Sequence, residues 1–273
     1  MLDRRHVLIS LASLPVAACA AMPEVTVRSR LTVATFNIWH NQGDWAARLP
    51  LIVQTLRAMD ADVIGLQEVL QDAAVGLPNQ AATIAEALGY RHVFCSVDGE
   101  DRPRRYGNAI LTRLPIVEQD WTKLEPLDDY RTALRVRVRL GDRLIDVVDT
   151  HLHHTPEGGA FRARQIDNLL RWIGDGDTPL IVLGDLNAPL ENPEMAPLRG
   201  PRFASALASV HPDQAARTTL NPAKGHRETQ IDHILFETAA FTPTAAAISG
   251  DRLTNGEYPS DHFAVSATLA LKA

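Results

Sequence analysis

Asn37, Glu68, Asp185, Asn187, Asp232 and Asp261 stand at or just beyond the ends of segments that are otherwise apolar or alternating, and His262 follows the last of them directly. A strand stops being apolar either because the chain reaches water or because several strand ends converge on a site. Taken singly, each of these residues reads as an ordinary loop residue. Together they share a chemistry. Asn37, Glu68 and Asp261 offer carbonyl and carboxylate oxygens, a hard donor set suited to Mg²⁺ or Mn²⁺. Asp185 and Asn187, two apart after an apolar run, point to one side if extended geometry continues through them, so that one can orient water while the other holds a phosphate oxygen. A carboxylate behind His262, for which Asp232 is the candidate, would fix the imidazole tautomer and raise its basicity. Phosphate-ester hydrolysis needs charge neutralised on the phosphoryl oxygens, a water activated and the departing oxygen stabilised.

The elements that must position these groups can be read from periodicity. Leu31 to Phe36 alternates and is rich in β-formers, which predicts a strand ending at Asn37. Leu49, Ile52, Val53, Leu56 and Met59 recur at helical spacing and predict a helix over 48–59, with Pro50 in its first turn. A buried strand follows at 63–68, then a helix around Ala81, Ile84, Ala85 and Leu88 that Gly89 stops. Strands are expected at 91–97, 107–113, 132–140 and 143–150, the last two joined by the tight turn signal Gly141-Asp142. Phe161 to Ile173 predicts a third helix ended by Gly174, and Pro179 to Gly184 is apolar enough for a strand covered on both faces. Further strands are expected at 230–236, 242–249 and 261–271, with an irregular stretch over 189–229. Mixed strands with helices outside predict an α/β four-layer sandwich, two mixed β-sheets face to face flanked by helices.

Seven short motifs carry a family resemblance: Thr35-Phe36-Asn37-Ile38, Gln67-Glu68-Val69, Tyr106 through Arg113, Thr150-His151-Leu152, Gly184-Asp185-Leu186-Asn187, Ile231-Asp232-His233 and Ser260-Asp261-His262. In order and spacing they resemble the endonuclease/exonuclease/phosphatase superfamily over about residues 31–271. The resemblance implies a divalent-metal-dependent hydrolase of phosphate esters, with Glu68 as the central metal ligand and Asn37 and Asp261 direct or through water. It implies that Asp232 and His262 form the catalytic dyad. His262 is assigned as acceptor of the water proton, the alternative being Asp185 with a charged His262 steadying the phosphate. It gives His151 a part in phosphate binding or leaving-group protonation. His154 could reach a phosphate oxygen, Asn108 could stabilise the site loop or contact phosphate, and His153 alternates away as a surface residue. Arg131 and the pair Arg164-Gln165 read as packing groups rather than substrate contacts.

The chain has 273 residues, 45% of them hydrophobic, which supports a large core and excludes disordered, collagenous and coiled-coil classes. Its 27 Lys plus Arg against 33 Asp plus Glu leave a net charge of −6, so no general basic field draws nucleic acid in. The local cluster Arg102, Arg104 and Arg105 could meet a polyanion or be a solvated loop. A small phosphodiester or nucleic acid is the first substrate expectation, a phospholipid the second and a phosphomonoester the third; aromatics are only 5%, with no cluster suited to membrane contact. Residues 1–20 have the layout of an export signal, in which Arg4-Arg5-His6-Val7-Leu8 resembles a twin-arginine signal and opens an apolar run too short to span a bilayer. Val16-Ala17-Ala18-Cys19 resembles a lipobox, which implies a periplasmic protein anchored through a lipid on Cys19; the alternative is ordinary cleavage and a soluble exported protein. Residues 21–273 are then expected to form one domain, as a monomer. Two rival readings are weighed: a histidine-rich zinc site beginning at Thr150-His151-Leu152-His153-His154, which lacks the histidines to complete it, and a catalytically inert ligand-binding lipoprotein.

Overall fold

The computed structural model describes residues 28–272, so the leader with Arg4, Arg5 and Cys19 lies outside the described residues. Along β1 (Arg30–Asn37), Leu31 and Val33 enter one apolar core while Ala34 and Phe36 enter another, the behaviour of a strand covered on both faces. The same split recurs in β7 (Arg143–His151) and β8 (Leu180–Asp185): Ile145, Val147, Ile181 and Leu183 face the first core, and Val148, Leu180 and Val182 face a third.

The first core is the space between two sheets. One sheet holds β1, β2 (Val63–Asp72), β3 (Arg91–Ser96), β4 (Arg104–Thr112), β11 (Phe241–Ser249) and β12 (Ala264–Leu271), in the order β11-β12-β1-β2-β4-β3. The other holds β5 (Ile116–Lys123), β6 (Thr132–Leu140), β7, β8, β9 (Phe203–Ser205) and β10 (Asp232–Glu237), in the order β5-β6-β7-β8-β10-β9. Helices α1 (Trp45–Met59) and α2 (Gln80–Leu88) cover the outer face of the first sheet through Ile52, Leu56, Ala81 and Ile84, and α3 (Gly159–Ile173) covers the second through Ile166 and Leu169. This is the expected four-layer α/β sandwich.

Each sheet contains one parallel pair, β1 with β2 and β7 with β8, among antiparallel neighbours. A parallel pair delivers both C-termini to one end. Asn37 pairs with Gln67 and His151 with Asp185, and antiparallel β10 brings Asp232 opposite Asp185. Gly184 permits this convergence, because a Cβ there would lie 1.9 Å from the Thr150 carbonyl oxygen and its φ is +143°.

Several boundaries differ from the sequence expectation. Helix α1 begins at Trp45, because the Asp44 side chain accepts from the Ala47 amide at 3.0 Å and caps it there, which leaves Pro50 inside the helix rather than in its first turn. The strand expected from 261 starts at Ala264, since Asp261 and His262 belong to the turn that carries the site. Strands β5 and β9 were not anticipated. The Gly141-Asp142 turn is as expected, with Leu140 paired to Arg143 and Gly141 at φ +61°.

Between the sheets lies a buried polar cluster. Gln67 Nε2 donates to Asp149 Oδ1 at 2.6 Å and to Thr35 Oγ1 at 3.0 Å, while Gln67 Oε1 and Asp149 Oδ2 have no partner. Burial, with the negative charge of Asp185 adding to it, raises the Asp149 carboxyl well above the usual carboxylate range. The native state therefore holds a proton that the unfolded chain releases, so stability falls as pH rises from the unfolded carboxylate value, about 4, toward the raised native one. Asp149→Asn removes that linkage: its amide can donate to the Gln67 carbonyl once the Gln67 amide turns over, and the Thr35 hydroxyl can donate or accept. The expected result is a gain of about 1–3 kcal/mol at neutral pH in denaturant unfolding, shrinking below pH 4. A variant less stable than the parent at every pH would contradict a neutral Asp149.

Candidate active site

Strand β2 pairs Leu66 with Ala109 and then Val69 with Gly107, so Gln67 and Glu68 together stand opposite Asn108 in a β-bulge. Glu68 sits at φ +59°, a left-handed backbone unusual outside glycine. The bulge turns successive side chains to different places: Gln67 stays between the sheets, and Glu68 lines the cleft at the strand ends. His40 Nε2 lies 3.8 Å from Glu68 Oε2, beyond hydrogen-bond reach, which leaves the carboxylate free to take a ligand.

Across a cleft of about 550 Å³ from Glu68 stand Asp185, Asn187, His151, Asp261 and His262. His262 Nδ1 faces Asp232 Oδ2 at 2.9 Å, and His262 Nε2 lies 3.9 Å from Asp185 Oδ2. Asp232 is itself sealed beneath the ring, its backbone amide bonded to the Thr219 hydroxyl. Asn37 sits just behind the cleft surface: its Nδ2 donates to Asp185 Oδ2 at 3.0 Å, and its Oδ1 accepts from the Trp39 amide. Asp261 Oδ1 lies 3.3 Å from the Ser260 hydroxyl oxygen, and its Oδ2 faces His226 Nε2 at 2.9 Å. The six oxygen-bearing residues and His262 thus meet at one end of the sandwich.

Asp185 and Asn187 reach the cleft by a turn rather than by continued extension. Asn187 has φ +54°, its amide donates to Asp185 Oδ1 at 2.9 Å, and its Nδ2 donates to the Leu152 carbonyl. The expectation of extended geometry is corrected, although both side chains still line the cleft. His153 is also corrected. It is half-buried, held to Asp129 at 2.8 Å and stacked on Phe161 with 4.5 Å between centroids, and with Gln165 it pins the loop before Arg131 to α3. Arg164 is exposed, 3.9 Å from Glu125. Asn108 spends its amide nitrogen on the carbonyl and hydroxyl of Thr132.

A second groove of about 560 Å³ opens on the other side of Glu68 and His154, which line both spaces. Its walls are His40, Tyr106 and Tyr130, in successive edge-to-face contacts of 6.0 and 6.1 Å, with Arg104 and Arg131. Arg131 is buried with its Nε lacking a hydrogen-bond partner, 4.0 Å from Asp129 Oδ1, and Nη2 3.3 Å from His154 Nδ1. The sequence pattern places Arg131 in packing, carries Tyr106 only as the start of a motif with no role of its own, and gives no sign of His40, Tyr130 or His226. His40 lies three residues past Asn37, but nothing in the irregular stretch around His226 marks it.

The electrostatics follow from burial and crowding. Burial, reinforced by the charge of Asp232, pushes the Asp185 carboxyl up to about 7. Burial disfavours the His262 imidazolium, but Asp232 and Asp185 outweigh it and hold the ring well above the ordinary histidine range. His151, 3.4 Å from Asp185, is driven the other way by burial and the nearby Arg131 charge, and its Nδ1 has no partner. The cleft can therefore present a cationic imidazole, a neutral one and a carboxylate within reach of one oxyanion. The ligand atoms of Asp185, Asp232 and His262 lie within 4.8 Å of one another, yet Asp232 is already spent on His262, which leaves Glu68 as the better-exposed cation ligand.

The sequence pattern of the Endonuclease/Exonuclease/phosphatase family matches residues 34–262, a span that takes in every strand-end residue described above. The chain belongs to this family. Among curated relatives it is 26% identical to Nocturnin of Drosophila melanogaster over 83% of this chain, and it spans 42% of that protein's length. Among solved structures it is similar to the human Nocturnin catalytic domain with bound sulfate, at a TM-score of 0.72 and 22% identity, covering 90% of this chain and 96% of that one. It is also similar to TDP2 of D. rerio complexed with a single-strand DNA product, at a TM-score of 0.74 and 20% identity, covering 88% of this chain and 99% of that one. These solved structures share the fold, and the family's name joins activities that act on phosphate esters.

Proposed function

We propose that the protein is a divalent-metal-dependent phosphodiesterase that uses Mg²⁺ or Mn²⁺ and cleaves a phosphorus–oxygen bond by in-line attack of water. The observation that carries this reading is the single cleft in which Glu68, aimed there by a bulge, faces Asp185, Asn187 and the Asp232–His262 pair. The hard oxygen donors fit such a cation: Glu68 is loosely partnered, and Asn37 at the end of β1 and Asp261 in the turn before β12 bring further oxygens to the same end of the sandwich. When bound, the metal neutralises phosphoryl charge and stabilises the departing oxygen.

The chain's own groups supply the rest. Asp185 Oδ2 and His262 Nε2, 3.9 Å apart, can hold the attacking water between them; Asp185 receives its proton, and His262, kept cationic by Asp232 through Nδ1 and so unable to take it, steadies the phosphate, the reverse of the role the sequence reading assigns to the ring. Asn187 and His151 line the same wall and can donate to phosphoryl oxygens. A substrate on Glu68 extends naturally into the aromatic groove, where His40, Tyr106 and Tyr130 can pack against a planar ring and Arg131 can meet a second anionic group. We therefore favour a nucleotide-containing phosphodiester, a short single strand or smaller; the D. rerio TDP2 complex with a single-strand DNA product lends support, and the net charge of −6 weighs against tracking a long duplex.

The test is hydrolysis of bis-p-nitrophenyl phosphate, the p-nitrophenyl ester of thymidine 5′-monophosphate, a short DNA single strand and sphingomyelin under one set of metal conditions. Metal-dependent release, stopped by chelator and restored by Mg²⁺ or Mn²⁺, is expected, with the thymidine ester turned over faster than the bis-aryl one. Preference for sphingomyelin would move the substrate to phospholipids. No metal-dependent release from any of them would favour an inert binding protein.

A further inference from the structure

One buried cation stands outside the cleft and yet touches both chain segments that frame it. Arg48, on the first turn of α1, has no solvent exposure. A guanidinium carries five N–H groups, and all of them are used here on backbone carbonyls. Nε donates to Gln42 at 3.0 Å, Nη1 to Ile38 at 2.8 Å and Pro259 at 3.0 Å, and Nη2 to Trp39 at 3.2 Å and His40 at 2.8 Å. The guanidinium carbon also lies 5.1 Å from the centre of the Trp39 ring and 5.6 Å from that of Trp45.

Four of these carbonyls belong to the loop that leaves β1 directly after Asn37. Its residues Trp39 and His40 hold positive φ, +56° and +29°, conformations that persist in non-glycine residues only where the surroundings over-determine them. The fifth belongs to Pro259, immediately before Ser260-Asp261-His262, and Ser260 closes the gap from its own side by donating to the Asn37 carbonyl at 2.8 Å. Gln80 on α2 makes a smaller tie of the same kind, donating to the His40 carbonyl at 2.9 Å while accepting from the Leu70 amide, two residues past Glu68.

We propose that Arg48 is a positioning residue for the metal site: by gathering the carbonyls on both sides, it holds the ends carrying Asn37 and Asp261 at the spacing that a cation with Glu68 requires. This rests on the metal-dependent reading above. The role is specific to arginine, since lysine offers three donors from one point and no planar fork to span five acceptors. A positioning role weakens metal binding without changing what the bound site does, so excess metal should rescue the variant, which it would not do for a damaged catalytic group.

The test is Mn²⁺ titration of metal-free protein, followed by the electron paramagnetic resonance signal of free Mn²⁺, on the parent, Arg48→Lys, Gln80→Met and a control, Arg57→Gln, on the same helix. Arg48→Lys is expected to bind Mn²⁺ at least tenfold more weakly, Gln80→Met a few-fold more weakly, and Arg57→Gln as the parent does. With bis-p-nitrophenyl phosphate, Arg48→Lys should need at least tenfold more metal for half-maximal rate and approach the parent kcat at saturation. Unchanged Mn²⁺ affinity in a folded Arg48→Lys overturns the proposal alone; a parent that binds no Mn²⁺ overturns it together with the metal-dependent reading. If Arg48→Lys loses its circular-dichroism signature, Gln80→Met decides, and parent-like affinity there overturns the proposal.

Discussion

Glu68→Gln should remove metal-dependent hydrolysis almost completely, on the order of 10³-fold or more in kcat/KM, while leaving the thermal unfolding midpoint close to that of the parent. The substitution keeps the side chain's shape and replaces one charged oxygen by a donor, which repels a cation where an acceptor is needed. Transition-state charge stabilisation by a bound cation amounts to several kcal/mol, and each 1.36 kcal/mol is about tenfold in rate. Stability is spared because the native carboxylate has no close partner to lose: His40 stands 3.8 Å away, beyond hydrogen-bond reach. Paired measurements of kcat/KM and Mn²⁺ binding check this. A Glu68→Gln variant that keeps more than a tenth of parental activity at saturating metal would take Glu68 out of the ligand set, and with it the reason to place the substrate phosphate between the two grooves.

The architecture was legible where burial is two-sided or strictly alternating. Strands β1 and β8 announce themselves by β-branched and apolar runs because both of their faces are covered, and the β6–β7 hairpin by its Gly141-Asp142 turn. Strand β5 is silent for the opposite reason: it is a sheet edge whose residues from Val117 to Trp121 are exposed, so the sequence Ile-Val-Glu-Gln-Asp-Trp-Thr-Lys carries no core-facing period. Strand β9, three residues long, is too short for any period.

The site divides along the same line. Asn37, Asp185, Asp232 and Asp261 were visible because they abut strands whose apolar pattern stops at them. What no pattern encodes is aim. Glu68 reaches the cleft because one extra residue in β2 turns it there, and Asn187 because its backbone is left-handed; both follow from tertiary pairing rather than local propensity. The groove beside Glu68 is less legible still, since Tyr106, Tyr130 and His40 come from three separate segments and only the fold makes them neighbours. Arg48 was hidden for another reason, standing in a helix as any surface arginine would until five carbonyls are seen around it.

His262→Ala is the second large effect expected. Removal of a donor aimed at developing charge costs typically about 10²-fold or more, and the loss of His262 should do so in kcat with KM changed much less. The ring touches the reacting region through Nε2 and the scaffold through Nδ1, so alanine empties one position beside Asp185 and leaves Asp232 buried without its partner. That second consequence is a stability cost of about 3–5 kcal/mol, the usual penalty for breaking a buried ion pair. The double variant Asp232→Asn/His262→Ala separates the two, because neutralising residue 232 relieves the buried charge without restoring the imidazole. Recovered stability with activity still depressed is the expected pattern. If the double variant instead regains activity along with stability, the role of His262 is to neutralise Asp232, and the water's proton goes to Asp185 without help from the ring.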